Sequence, residues 1–135
     1  MKQYIAIPIL AIFALSSCVE KESKIRVQNM LPKALVKNVE WGGIPISSQI
    51  LPGQTSGTII VYEDEPYYDI KLPASKPVKF YISLNGDLVY LQTKASFQLN
   101  EDDDLTIVIA DTTQVFNPLL EKSFSIRNLL KNEPK

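Results

Sequence analysis

On both sides of Asn85-Gly86 the chain alternates apolar and polar residues. That period places successive side chains on opposite faces of a strand and, with Asn-Gly supplying the positive φ angles of a type I′ turn, predicts a β-hairpin over 78–93. A two-residue loop pairs Leu84 with Asp87. That register sets Phe80 against Leu91 and Ile82 against Val89 on one face, and Tyr81 against Tyr90 on the other. The first face predicts core. Shorter segments predict further strands at 24–29, 35–41, 58–62, 67–72, 97–99 and 105–110. Pro32, Pro45, Pro52-Gly53, Pro66, Pro73, Pro77 and the acidic run 100–104 fall between them as turns. Short strands at this spacing predict an all-β fold, a small antiparallel β-sandwich. The C-terminal stretch has two readings: Asn117-Pro118 opens a helix through Leu130, or Phe124-Ser125-Ile126 is a last edge strand.

The N-terminus follows a different pattern. Lys2 precedes an apolar run from Tyr4 to Leu15, about a dozen residues, too short to span a bilayer as a helix and interrupted by Pro8. The run ends in Leu15-Ser16-Ser17-Cys18, and Cys18 is the sole cysteine. This segment resembles the lipobox of bacterial lipoproteins, in which a peptidase cuts before a cysteine that carries a diacylglycerol. The alternative is an ordinary secretory signal with an incidental cysteine. The resemblance implies a signal peptide at 1–17, membrane attachment through lipid on Cys18, a polar tether over 18–24, a sandwich domain at 25–116 and a C-terminal segment at 117–135. More than one acyl chain holds a protein stably at a bilayer without a spanning helix. Val19 rather than Asp follows the cysteine, so the resemblance to lipoproteins implies the outer membrane, on its periplasmic face or at the cell surface. Over the mature part, the strands, the turn 51–57 and the hairpin resemble the small immunoglobulin-like or transthyretin-like sandwiches of envelope lipoproteins. Such sandwiches host unrelated functions, so no functional residue carries over.

Composition narrows the chemistry. Fourteen Lys and Arg against fifteen Asp and Glu give a net charge of −1, so no basic excess argues for nucleic acid. No His is present, which excludes Ser-His-Asp triads, Cys-His pairs and histidine metal sites; the single Cys excludes an internal disulfide. Gly53-Gln54-Thr55-Ser56-Gly57 has the glycine spacing of a nucleophile elbow, but Thr55 stands at the nucleophile position and the segment reads as a turn. Asn100-Glu101-Asp102-Asp103-Asp104 offers hard oxygen atoms, and Asp102, Asp103 and Asp104 are the residues that would ligate Ca²⁺. Leu105 stands where an EF-hand needs glycine, and a charge run on a turn reads first as solvated.

What remains is surface. Tyr81, Tyr90 and Trp41 are the candidate binding face, because rings with a polar tip favour interfaces. Each has a structural alternative: the tyrosine pair as a cross-strand stabiliser or cover for the C-terminal segment, and Trp41 as a core anchor beside a Gly42-Gly43 turn. The expectation is a non-catalytic, cofactor-free envelope protein. It is an accessory or assembly subunit that binds an envelope protein, or alternatively a module for a glycan or small ligand. A hydrolase using a carboxylate pair is the third reading.

Overall fold

The computed structural model describes residues 21–131. The predicted signal peptide and Cys18 lie outside the described residues. Thirteen strands and one short helix follow in order: β1 (Glu22–Asn29), β2 (Leu35–Trp41), β3 (Ile44–Ile50), β4 (Ile59–Tyr62), β5 (Asp64–Glu65), β6 (Ile70–Lys71), β7 (Ala74–Lys76), β8 (Val78–Leu84), β9 (Asp87–Thr93), β10 (Phe97–Leu99), β11 (Asp104–Ile109), β12 (Gln114–Asn117), β13 (Lys122–Ser125) and α1 (Ile126–Lys131). A six-stranded sheet runs β13-β12-β9-β8-β2-β3 and a three-stranded sheet runs β11-β1-β4, with the ribbons β5-β6 and β7-β10 beside them. The architecture is a small all-β sandwich, not a barrel. Its pairings are antiparallel except that β1 and β11 run parallel from Lys24↔Asp104 to Asn29↔Ile109, an arrangement that needs a long crossover, which the intervening chain supplies.

The alternation seen in the sequence builds the core. Ile25 and Val27 of β1, Val61 of β4, and Ile107 and Ile109 of β11 form one buried cluster with Val36, Val39 and Trp41 of β2, Phe80 and Ile82 of β8, Leu91 of β9 and Val115 of β12. Burying each large apolar side chain contributes roughly 1.5–3 kcal/mol. Four polar side chains are buried too, Ser23, Asn29, Thr93 and Asn117, and each is hydrogen-bonded. Asn29 Nδ2 donates to the carbonyls of Ala34 (2.9 Å) and Ile50 (3.0 Å), while its Oδ1 accepts from Leu31 N. It thereby ties the end of β1 to the start of β2 and the end of β3.

The hairpin has the predicted register throughout, Tyr81↔Tyr90 included, with Asn85 and Gly86 at φ 50° and 85°. Elsewhere the structure departs from expectation at identifiable residues. Residues 67–72 are not one strand: Pro66 opens a 3-10 turn through Tyr68, Asp69 adopts φ 54°, and only Ile70–Lys71 extends. Pro45 does not separate strands but sits in β3, at a sheet edge and exposed, where its missing N–H costs no ladder bond. β1 starts at Glu22, which takes part of the expected tether into the sheet and buries Ser23. In the C-terminal segment the edge-strand reading holds, with β13 at the sheet edge, while the helix opened by Asn117-Pro118 does not form: Asn117 ends β12, Pro118 lies in the turn to β13, and only Ile126–Lys131 is helical, with Ile126 fully buried. The sandwich therefore continues past 116.

Candidate functional site

The outer face of the six-stranded sheet is set by the hairpin. Val78, Phe80, Ile82 and Leu91 point inward and are buried, so Lys79, Tyr81, Tyr90 and Gln92 point outward and are half-buried. Lys79 pairs with Gln92 and Tyr81 with Tyr90. Four side chains thus form a block two strands wide, an aromatic pair beside an ammonium and an amide. The tyrosine rings lie with centroids 5.0 Å apart and planes tilted by 33°, a tilted stack rather than an edge-on contact, so the two form one aromatic unit, the tyrosine platform.

Neighbouring strands extend the block. β12 sets Phe116 beside Gln92, and β2 sets Lys37 beside Tyr81 and Glu40 beside Lys79. Lys37 and Glu40 are three apart and would fall on opposite faces of a regular strand. A bulge corrects this. Asn38 adopts φ 49° and the register against β8 shifts between Lys37 and Glu40, which absorbs one residue and keeps both polar side chains outside while Val36, Val39 and Trp41 stay inside. Burial, the nearby Glu40 carboxylate and Tyr81 together push the Tyr90 hydroxyl above its ordinary value, so Tyr90 is neutral and able to donate at physiological pH.

Trp41, predicted as a possible member of this face, is not on it. It is fully buried on the inner side of β2, and its Nε1 donates to Phe97 O at 3.0 Å. Its core-anchor alternative is what the structure has, with Gly42 and Gly43 at φ 57° and 86° turning β2 into β3. Gly42 is further constrained by space, because a Cβ there would lie 2.7 Å from Ile70 Cδ1.

The candidate Ca²⁺ ligands Asp102, Asp103 and Asp104 are not brought together. Asp103 Oδ2 accepts from Asn100 N at 3.1 Å, Asp104 Oδ1 pairs with Arg26 at 2.7 Å, and Asp102 takes the left-handed position of the turn at φ 59°. A second acidic run, Glu63-Asp64-Glu65, flanks the same start of β1: Glu63 N donates to Lys21 O, as Lys24 N donates to Asp103 O. Lys21 pairs there with Glu101 at 3.3 Å. Among the described residues no group of three or more acidic, Cys or His side chains converges in a metal-holding arrangement.

One cleft borders this outer face and another lies on the inner side of the sheet. One, of about 410 Å³, is lined by Gly42, Gly43, Lys76, Pro77, Lys79 and Gln92, and so opens against the tyrosine block through the two residues they share. The other, of about 360 Å³ and mainly apolar, lies between α1 and the strands beneath it, lined by Val89, Asn117, Leu120, Phe124, Asn128 and Leu129. Lys79 and Gln92 were within reach of the hairpin register, being the residues two before Tyr81 and two after Tyr90. Lys76 and the glycine turn were not, because they arrive from other strands. No helix among the described residues is long and apolar enough to cross a membrane. No family model, curated protein or solved structure matches the chain.

Proposed function

We propose that this is a lipid-anchored envelope protein that acts by binding rather than by catalysis, and that the outer face of its six-stranded sheet holds a glycan. The lipobox-like Leu15-Ser16-Ser17-Cys18 supports the anchor. The observation that carries the binding reading is the Tyr81–Tyr90 platform set among Lys37, Glu40, Lys79 and Gln92. The cores of protein interfaces are depleted of charge, whereas here charged and amide groups interleave with the rings. Flat rings for the apolar face of a sugar, with amides and charges for its hydroxyl groups, suit a glycan. The test is binding of the full-length protein, purified in detergent, to an array of neutral and acidic oligosaccharides. Wild-type binding that Tyr81→Ala or Tyr90→Ala reduces at least tenfold, with an unchanged melting curve, is the expected result. Binding that survives both substitutions overturns the assignment of the face.

A second reading, the accessory subunit of an envelope assembly, is favoured by a separate observation. β11 is the outermost strand of its sheet, and among the described residues nothing pairs with the outer edge of its six residues. An extended segment of a partner can add there as a further strand. Crosslinking in intact cells, comparing the native protein with Cys18→Ser, tests it together with the anchor. One membrane protein recovered in stoichiometric amount from the native form alone supports the assembly reading; recovery of none overturns it.

A further inference from the structure

We infer that the cleft beside the tyrosine platform is a subsite for an anionic substituent, so that the glycan held on this face is an acidic one. The inference rests on the glycan reading above and narrows it.

The cleft's lining contains two ammonium groups, Lys76 and Lys79, one amide, Gln92, and no carboxylate. Its remaining wall is Pro77 and the Gly42-Gly43 turn. At Gly43 a Cβ would meet nothing within 4 Å, so that side is open. Among the described residues the ion pairs are Lys21–Glu101, Arg26–Asp104 and Arg127–Asp111. Lys76 and Lys79 belong to none of them. Glu40 is the acidic group nearest in register, opposite Lys79, but it makes no ion pair with Lys79 and does not line the cleft. Two cations without an ion-pair partner thus share one concave space. An anion placed between them is favoured by both at once, more strongly than on a flat surface because the cleft walls exclude part of the solvent.

Position supplies the ligand class. Lys79 and Gln92 belong both to the cleft and to the block that carries Tyr81 and Tyr90. Residues two apart on a strand are separated by roughly 6.6 Å, which is about the span of one sugar ring. A saccharide stacked on the rings therefore places a substituent of the same or the adjacent residue in the cleft. A carboxylate or a sulfate ester accepts from both ammonium groups and from the Gln92 amide. A neutral hydroxymethyl group leaves the cations uncompensated.

The test uses the full-length protein in detergent and three oligosaccharide sets: uronate- or sialate-bearing, the methyl esters of the same compounds, and sulfated. Anionic and neutral phospholipid vesicles serve as the competing source of anion. The expected result is binding of at least one acidic compound, about tenfold weaker for its methyl ester and weaker at high salt. The variant Lys76→Gln, which lies in the cleft but outside the tyrosine block, loses that preference but binds the ester as the wild type does. The ratio of carboxylated to sulfated binding identifies the anion. Lys33→Gln, an exposed lysine in the β1–β2 connection and outside the face, leaves the preference intact. Equal affinity for acid and ester, with binding still dependent on Tyr81, overturns this inference and leaves the glycan reading standing. Failure of the wild type to bind any oligosaccharide overturns both. Anionic vesicles bound tightly with no acidic sugar bound reassign the cleft to a lipid surface and overturn the inference.

Discussion

The outer faces of the two sheets carry similar residue types and treat them differently. On the three-stranded sheet Arg26 donates to Thr58 and Thr106 and pairs with Asp104, so its charge is neutralised within the sheet. Ile60, Tyr62 and Val108 are exposed there without forming an aromatic pair. On the six-stranded sheet Lys79, like Lys76 of the adjoining β7-β10 ribbon, has no ion-pair partner among the described residues, and two aromatic residues stack as a pair. Exposed aromatic or apolar side chains are common to both faces and do not distinguish them. What distinguishes a candidate binding face is a set of polar groups left uncompensated next to a shaped surface.

Substitutions that test this contrast can be ordered by size. The largest effect is expected where the platform is held from beneath. Trp41→Ala removes the biggest fully buried side chain from under the cleft turn, with an expected loss of about 3–5 kcal/mol in denaturant unfolding. Loss of less than 1 kcal/mol would show that the large sheet does not depend on it. Next is Asn29→Ala, which leaves the buried carbonyls of Ala34 and Ile50 without their donor and is expected to cost about 1–3 kcal/mol. That would locate the small sheet's coupling to the large one in a polar side chain.

The faces themselves give smaller and opposite responses. Arg26→Ala is expected to destabilise by about 1 kcal/mol, since a partly buried ion pair and two hydroxyl contacts go together. Lys79→Ala should stay within about 0.5 kcal/mol. Equal costs would abolish the contrast between the two faces.

The smallest effect concerns pH. Tyr90 has a raised folded pKa from burial, Glu40 and Tyr81, so its protonated form is favoured in the folded state. The associated stability is present below the ordinary tyrosine value of about 10 and is lost as pH rises through the higher folded one. Ultraviolet titration should show one late tyrosine that disappears in Tyr90→Phe and shifts down in Glu40→Gln. An unchanged profile in both would remove Glu40 from the surroundings of Tyr90.

How far the sequence could be read depends on the range of the forces involved. The hairpin was fully legible because Asn85-Gly86 sets its own turn and a fixed turn sets the register of every pair beyond it. Residues 67–72 misled because their apolar content resembles a strand, while Pro66 and Asp69 impose a local turn that outweighs it. β3 was hidden by Pro45, which is tolerated only because that strand lies at an edge, a fact of sheet order. Trp41 was ambiguous because alternation across β2 is interrupted: the bulge at Asn38 shifts which residues face inward.

By itself, then, the chain determined its β character, the Tyr81–Tyr90 pairing and, through the absence of histidine, which chemistries are closed to it. Periodicity, turn residues and composition act over a few positions or none. Only the tertiary structure decided that Trp41 is core, that Asp103 and Asp104 are engaged by separate partners, and that Lys76 and a glycine turn meet Lys79 and Gln92 around one cleft. Those outcomes depend on sheet order and on which segments distant in sequence become neighbours. Neither is encoded in any local pattern, because the burial energy that selects them belongs to the whole core.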